Sequence, residues 1–103
     1  MMDYWQNPSD REEHEYSFYL EVVTPLNISA RKLTDTIRDK VGCFAEVFGD
    51  VEEDDYHRTF TIEVSSSVDV DGYHDKWDAI TCDTNELIMQ IKLLSIVVDA
   101  NEC

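Results

Sequence analysis

Residues 43–65 read CFAEVFGDVEEDDYHRTFTIEVS, and this stretch decides how the rest of the chain is arranged. In its second half Phe60, Ile62 and Val64 alternate with Thr59, Thr61 and Glu63, the period-two pattern of a strand with one buried face. The first half predicts a strand over residues 43–51, with Cys43, Ala45, Val47 and Val51 on one face and Phe44 and Phe48 on the other. Between the two lies the polar turn EEDDYH, residues 52–57. Two strands joined by a short polar turn make a hairpin.

Toward the N-terminus, Ala30, Leu33, Ile37 and Val41 recur at spacings of three and four, which places them on one helical face. Ser29 is positioned as the N-cap and Gly42 as the C′ residue that needs φ > 0. Before that helix, YSFYLEVVT alternates Tyr16, Phe18, Leu20 and Val22 against Ser17, Tyr19 and Glu21, and Pro25 and Asn27 end the strand. Residues 1–15 are polar and acidic apart from Tyr4 and Trp5, and read as a flexible arm ahead of one domain spanning residues 16–103.

Toward the C-terminus, Tyr73, Trp77, Ile80, Thr84, Leu87 and Ile91 form a helical seam, with an expected break near residues 81–83 where Asp83 and Glu86 have capping-box spacing. The run LLSIVVD, residues 93–99, is β-branched and short enough for a last strand. The predicted order is β-α-β-β-α-β. That is the ferredoxin-like order of an α+β domain, an antiparallel sheet with two helices on one face.

The chain has 103 residues, the size of one small domain. Eight Lys and Arg stand against 23 Asp and Glu, a net charge of −15, yet 43 % of residues are hydrophobic. That apolar content excludes wholesale disorder. The longest apolar stretch falls far short of the ~20 residues of a spanning helix, so no membrane role is expected. The start MMDYWQNPSDREEHE lacks the pattern of a signal peptide, and Cys43, Cys82 and Cys103 are odd in number and unpaired in spacing. Both readings point to the cytoplasm, with three free thiols and Cys43 and Cys82 among apolar neighbours.

Charge is unevenly placed. Residues 30–41 hold four basic and two acidic side chains, net +2, which leaves −17 on the remainder of a chain whose total is −15. Acid concentrates in the arm (Asp3, Asp10, Glu12, Glu13, Glu15), at the hairpin tip (Asp50, Glu52, Glu53, Asp54, Asp55) and along Asp69, Asp71, Asp75, Asp78 and Asp83. Ordinary solubility needs a net charge of only about 2–8 in a small domain. Direct nucleic-acid binding is not expected, because no basic stripe exists outside the first helix.

Motifs for chemistry are weak. Ser67 to Asp78 partly resembles a calcium-binding EF-hand loop through Asp69, Asp71, Gly72, Asp75 and Asp78, but lacks the first acidic ligand and the long bidentate Glu. Asp54, Asp55 and His57 offer cation-ligand types without a second cluster at defined spacing. No nucleophile motif or glycine-rich phosphate loop occurs, so the reading is a protein without enzyme activity, metal or cofactor.

No motif names a family. In general character (short, very acidic, aromatic-laced, without catalytic apparatus) the chain is similar to nucleic-acid-mimicking inhibitors. Those include phage anti-restriction and anti-CRISPR proteins and the immunity proteins of nuclease toxins. That likeness implies a binding inhibitor occupying the basic nucleic-acid site of a partner nuclease or defence complex. The expected contact residues are Asp50, Glu52, Glu53, Asp54, Asp55 and Tyr56 with Asp69, Asp71, Asp75 and Asp78. The alternative is a small regulatory or structural subunit that forms a homodimer through the sheet face bearing Tyr19, Phe44 and Phe48.

Overall fold

The computed structural model describes residues 13–70 and 74–103. Strand β1 (Glu13–Pro25) leads into helix α1 (Ala30–Thr36), which continues as a π-helical turn over Ile37–Val41. Strands β2 (Phe44–Val47), β3 (Glu52–Glu53) and β4 (His57–Asp69) follow, then helix α2 (Lys76–Lys92) and strand β5 (Asp99–Glu102). The domain is α+β, with an antiparallel five-stranded sheet in the order β2-β4-β1-β5 and β3 also on β4.

The two long strands are the frame. β1 and β4 pair over their full length, with Phe18 opposite Val64, Leu20 opposite Ile62 and Val22 opposite Phe60. All six are buried and point to the same side. On that side Leu33 and Ile37 of the first helical segment and Leu87 and Ile91 of α2 join them in one core. Ser29 caps α1 by accepting from the Lys32 N–H at 3.1 Å, as its position predicts. Gly42, at φ 90°, donates its N–H to the Ile37 carbonyl at 3.1 Å and closes the wider π turn.

Several expectations are corrected. β1 begins at Glu13 rather than Tyr16, because β4 runs on to Asp69 and supplies partners for Glu13, His14 and Glu15 of the expected arm. Residues 1–12 of that arm lie outside the described residues. The predicted strand over residues 43–51 divides at Gly49, whose φ of 80° breaks the extended chain. Phe48 still bonds to Thr61 and Glu52 pairs with Thr59, so residues 49–51 bulge past Phe60. Val51 is exposed in that bulge rather than in the core.

In α2 no break occurs at residues 81–83. The cap is Asp75, whose side chain accepts from the Asp78 N–H at 3.0 Å, and the helix runs unbroken to Lys92. Trp77 leaves the expected seam. Small Ala79 fills the buried place in that turn, while the Trp77 ring is 64 % exposed and lies 5.0 Å from the Lys76 ammonium. Tyr73 lies outside the described residues. Cys82 is exposed rather than among apolar neighbours, while Cys43 is buried as expected.

The last strand is displaced as well. Residues 93–98 turn through the bonds Leu94 N–H to Ile91 O and Val97 N–H to Leu94 O, and pairing with β1 starts only where Val98 donates to Val23 O at 2.7 Å. The β-branched run places Val97 in the core and exposes Leu93 and Val98, while DANE forms the edge strand with only Ala100 buried. Among the described residues no helix is long and apolar enough to cross a membrane.

Candidate functional site

With the helices gathered on one side, the opposite face of the sheet is covered by none of the described elements. Its residues are the odd positions of β1 and β4 and the even positions of β2. Two rows at its centre define it. Glu46, Glu63 and Tyr19 lie side by side across β2, β4 and β1, and one pleat along are Phe48, Thr61 and Glu21. Cross-strand neighbours stand about 4.8 Å apart and successive rows about 6.7 Å apart. The two rings therefore occupy one diagonal and Glu46 and Glu21 the other.

The rings meet across that diagonal, with Tyr19 and Phe48 centroids 5.0 Å apart at an interplanar angle of 49°. They are 40 % and 55 % exposed, and Phe44, half exposed, extends the patch along β2. Over Phe44 lies the guanidinium of Arg38, 5.1 Å from the ring centroid, which also donates to the Ala45 carbonyl at 2.9 Å. Glu46 and Glu63 are direct cross-strand partners, a like-charge pairing that opposes folding. A sheet does not need that pair for its own sake.

Beyond the Phe44–Ser65 pair β2 stops while β1 and β4 continue, which leaves a cleft of about 600 Å³ beside Glu15, Ser17, Ser65 and Ser67. On the helix side of the same strands the Tyr16 hydroxyl donates to Asp83 of α2, and Ser66 donates to the same carboxylate at 3.3 Å. Burial and then the hydrogen bond to Asp83 raise the Tyr16 phenol above its ordinary range. A raised phenol pKa favours the folded state fully below about pH 10, and that contribution fades as pH climbs toward the folded value. Alkaline titration should therefore show a late step, at higher pH than an ordinary phenol, that belongs to Tyr16. Tyr16→Phe should abolish that late step and cost roughly 1–3 kcal/mol in a thermal melt, because Asp83 loses a donor. Burial likewise raises the Cys43 thiol, the reverse of what a nucleophile requires.

The described members of the predicted site do not form one cluster. Asp50, Glu52, Glu53, Asp54, Asp55 and Tyr56 sit at the tip beside the start of β4, and Asp69 sits at its end. Thirteen extended residues separate them by about 40 Å. Asp71 lies outside the described residues, as does Gly72. Asp75 and Asp78 stand at the start of α2, with His74 Nδ1 3.5 Å and 3.9 Å from their carboxylates. These three offer ligand atoms within 4.8 Å of one another, but Asp75 is already engaged as the helix cap. Ser67 and Asp69 belong to a strand, which removes the first part of the loop that an EF-hand needs.

Two tip residues hold the tip together. Glu53 pairs with Arg58 Nε at 2.8 Å, and Arg58 also donates to the Ile28 carbonyl at 2.9 Å. Asp54 accepts from the Tyr56 and His57 N–H groups at 2.8 and 2.7 Å, which holds its carboxyl below the usual aspartate range. Because the folded value is lowered, this turn is favoured at neutral pH and loosens as pH falls below about 3.8 through the folded value. Amide resonances of Tyr56 and His57 should shift together in that acid window, and Asp54→Asn should remove the transition.

Sequence patterning alone missed Glu15, Glu46, Glu21 and Glu63 as a set. The signal was present, since Glu21 and Glu63 fall at outward positions of strands recognisable by alternation. Comparison with protein-family models, curated proteins and solved structures finds no match.

Proposed function

We propose that this protein is a non-catalytic acidic binding protein that occupies the basic nucleic-acid-binding surface of a partner, with the open sheet face as its centre and the hairpin tip as its margin. One observation carries the reading: Glu46 and Glu63 oppose each other on an uncovered face between exposed rings, a costly arrangement that a basic partner would relieve. A sheet supplies what a single strand could not. Its lattice of about 4.8 by 6.7 Å spreads carboxylates in two dimensions, from Glu52 past Glu21, Glu46 and Glu63 to Glu15 and Asp69. These carboxylates fall along about 33 Å of β4, about one per 5–6 Å, which is denser than the 6.7 Å spacing of a single row though sparser than the roughly 1.7 Å per charge of a duplex axis.

The same reading takes the fold as ferredoxin-like, with β2 and β3 counted as one interrupted strand. The element order and the sheet order β2-β4-β1-β5 support it. A reducing, cytoplasmic setting belongs to the proposal and is supported by three free cysteines. The test begins with partners captured from the host at low salt. A captured nucleic-acid-binding protein should release a fluorescent duplex or RNA when this protein is added, at one-to-one stoichiometry, with affinity falling as salt rises. Partners that bind no nucleic acid, or a complex indifferent to salt, would overturn the reading.

A second reading is a homodimer through the same face, favoured by the exposure of Tyr19, Phe44 and Phe48. A two-fold dimer would bring the face that carries Glu21, Glu46 and Glu63 against the same acidic face of a second copy, so it would strengthen with salt rather than weaken. Sedimentation at two salt concentrations separates the two readings.

A further inference from the structure

We infer that the open face selects arginine over lysine in its partner, with the Tyr19–Phe48 pair as a stacking platform and Glu21, Glu46 and Glu63 as the acceptors around it. The inference rests on the proposed binding of a basic partner and adds which basic side chain is read. Both rings belong to one sheet face, and their mutual tilt leaves them 40 % and 55 % exposed rather than packed away. Guanidinium is planar and weakly hydrated, so it can stack on a ring while its N–H fork pairs with a carboxylate beside it. An ammonium is a compact, strongly hydrated point charge and gains mainly from the carboxylates.

The register supplies the acceptors at the right places. Glu63 is the cross-strand neighbour of Tyr19, Glu46 the next residue across in the same row, and Glu21 lies in the row of Phe48. A guanidinium above the rings is therefore within one or two lattice steps of three carboxylates. The chain already makes such a contact with its own side chain. Arg38 lies 5.1 Å from the Phe44 centroid and at the same time donates to the Ala45 carbonyl, on the edge of this same face. Phe44 is thus taken, and the Tyr19–Phe48 pair is the platform open to a partner. Charge complementarity argues for a basic occupant, and the rings argue for arginine within it.

The experiment compares octa-arginine and octa-lysine peptides of equal charge, by fluorescence anisotropy at about 0.15 M salt. Octa-arginine should bind about fivefold tighter or more. A Tyr19→Leu/Phe48→Leu variant keeps apolar area but removes both rings of the open platform and leaves only the Phe44 ring, which Arg38 covers. It should lose the arginine preference while binding octa-lysine as before, with its melting temperature as the check on folding. Equal affinities for the two peptides, unchanged in the Leu variant, would overturn the arginine inference and leave the acidic-surface reading standing. Failure of both peptides to bind would overturn that reading itself. A dimer that the Leu variant dissociates would give the face to a second copy of the chain and overturn the inference.

Discussion

Phe60→Ala should destabilise the protein by about 3–5 kcal/mol, enough to remove a large part of the 5–15 kcal/mol that usually holds a domain. Phe60 is 1 % exposed and lies on one of the two long strands, opposite Val22 of β1 and within the core shared with both helices. Truncation removes the transfer free energy of the ring and leaves a cavity that a sheet fixed by thirteen register pairs cannot collapse into. Leu33→Ala should follow at about 2–5 kcal/mol, since Leu33 is fully buried where α1 meets the sheet. Denaturant melts with a constant m-value check both. Thr61→Ala, on the opposite face of the same strand, should change stability far less.

Reversing the charge of the open face should give the opposite pattern. In Glu46→Lys the like-charge partner of Glu63 becomes an ion pair, which should stabilise the fold by roughly 0.2–1 kcal/mol. Adding Glu21→Lys and Glu63→Lys places three cations where three carboxylates stood. Binding to a basic partner should then fall by at least about a hundredfold, because steering and complementarity both reverse sign. Melting temperature and affinity thus move apart for Glu46→Lys alone: a protein that is more stable and binds less well. Reversals at Glu53 or Asp54 are poor substitutes for this experiment. Glu53 anchors Arg58 and Asp54 holds the turn, so both would alter the fold along with the charge.

Local pattern carried much of the fold. Alternation in β1 and β4 identified Phe18, Leu20, Val22, Phe60, Ile62 and Val64 as inward, and helical spacing with Ser29 and Gly42 located the first helix. What escaped was decided by partners rather than by propensity. β1 and β4 lengthen each other, so neither end could be read from its own residues. The run Leu93 to Val98 has strand composition, yet α2 continues to Lys92 and pairing begins only at Val98, which moves β5 onto the polar DANE. Trp77 fits the helical period but loses its place to Ala79.

The candidate site shows a different gap. Runs of acid in sequence, at residues 50–55 and 69–78, drew attention to turns, and Glu53, Asp54 and Asp75 have structural partners there. Glu21, Glu46 and Glu63 are far apart in sequence and make no run. They become a cluster only when the register brings three strands together. Transferring charge onto the outward positions of each predicted strand would have pointed to them.

The most direct test is amide chemical-shift mapping of the isotope-labelled protein bound to the captured nucleic-acid-binding partner. The account predicts that shifts centre on Tyr19, Glu21, Glu46, Phe48, Thr61 and Glu63, extend to the hairpin tip, and spare the outer surfaces of both helices. Shifts confined to α1 and its basic residues Arg31, Lys32 and Lys40, with the open sheet face unchanged, would contradict it.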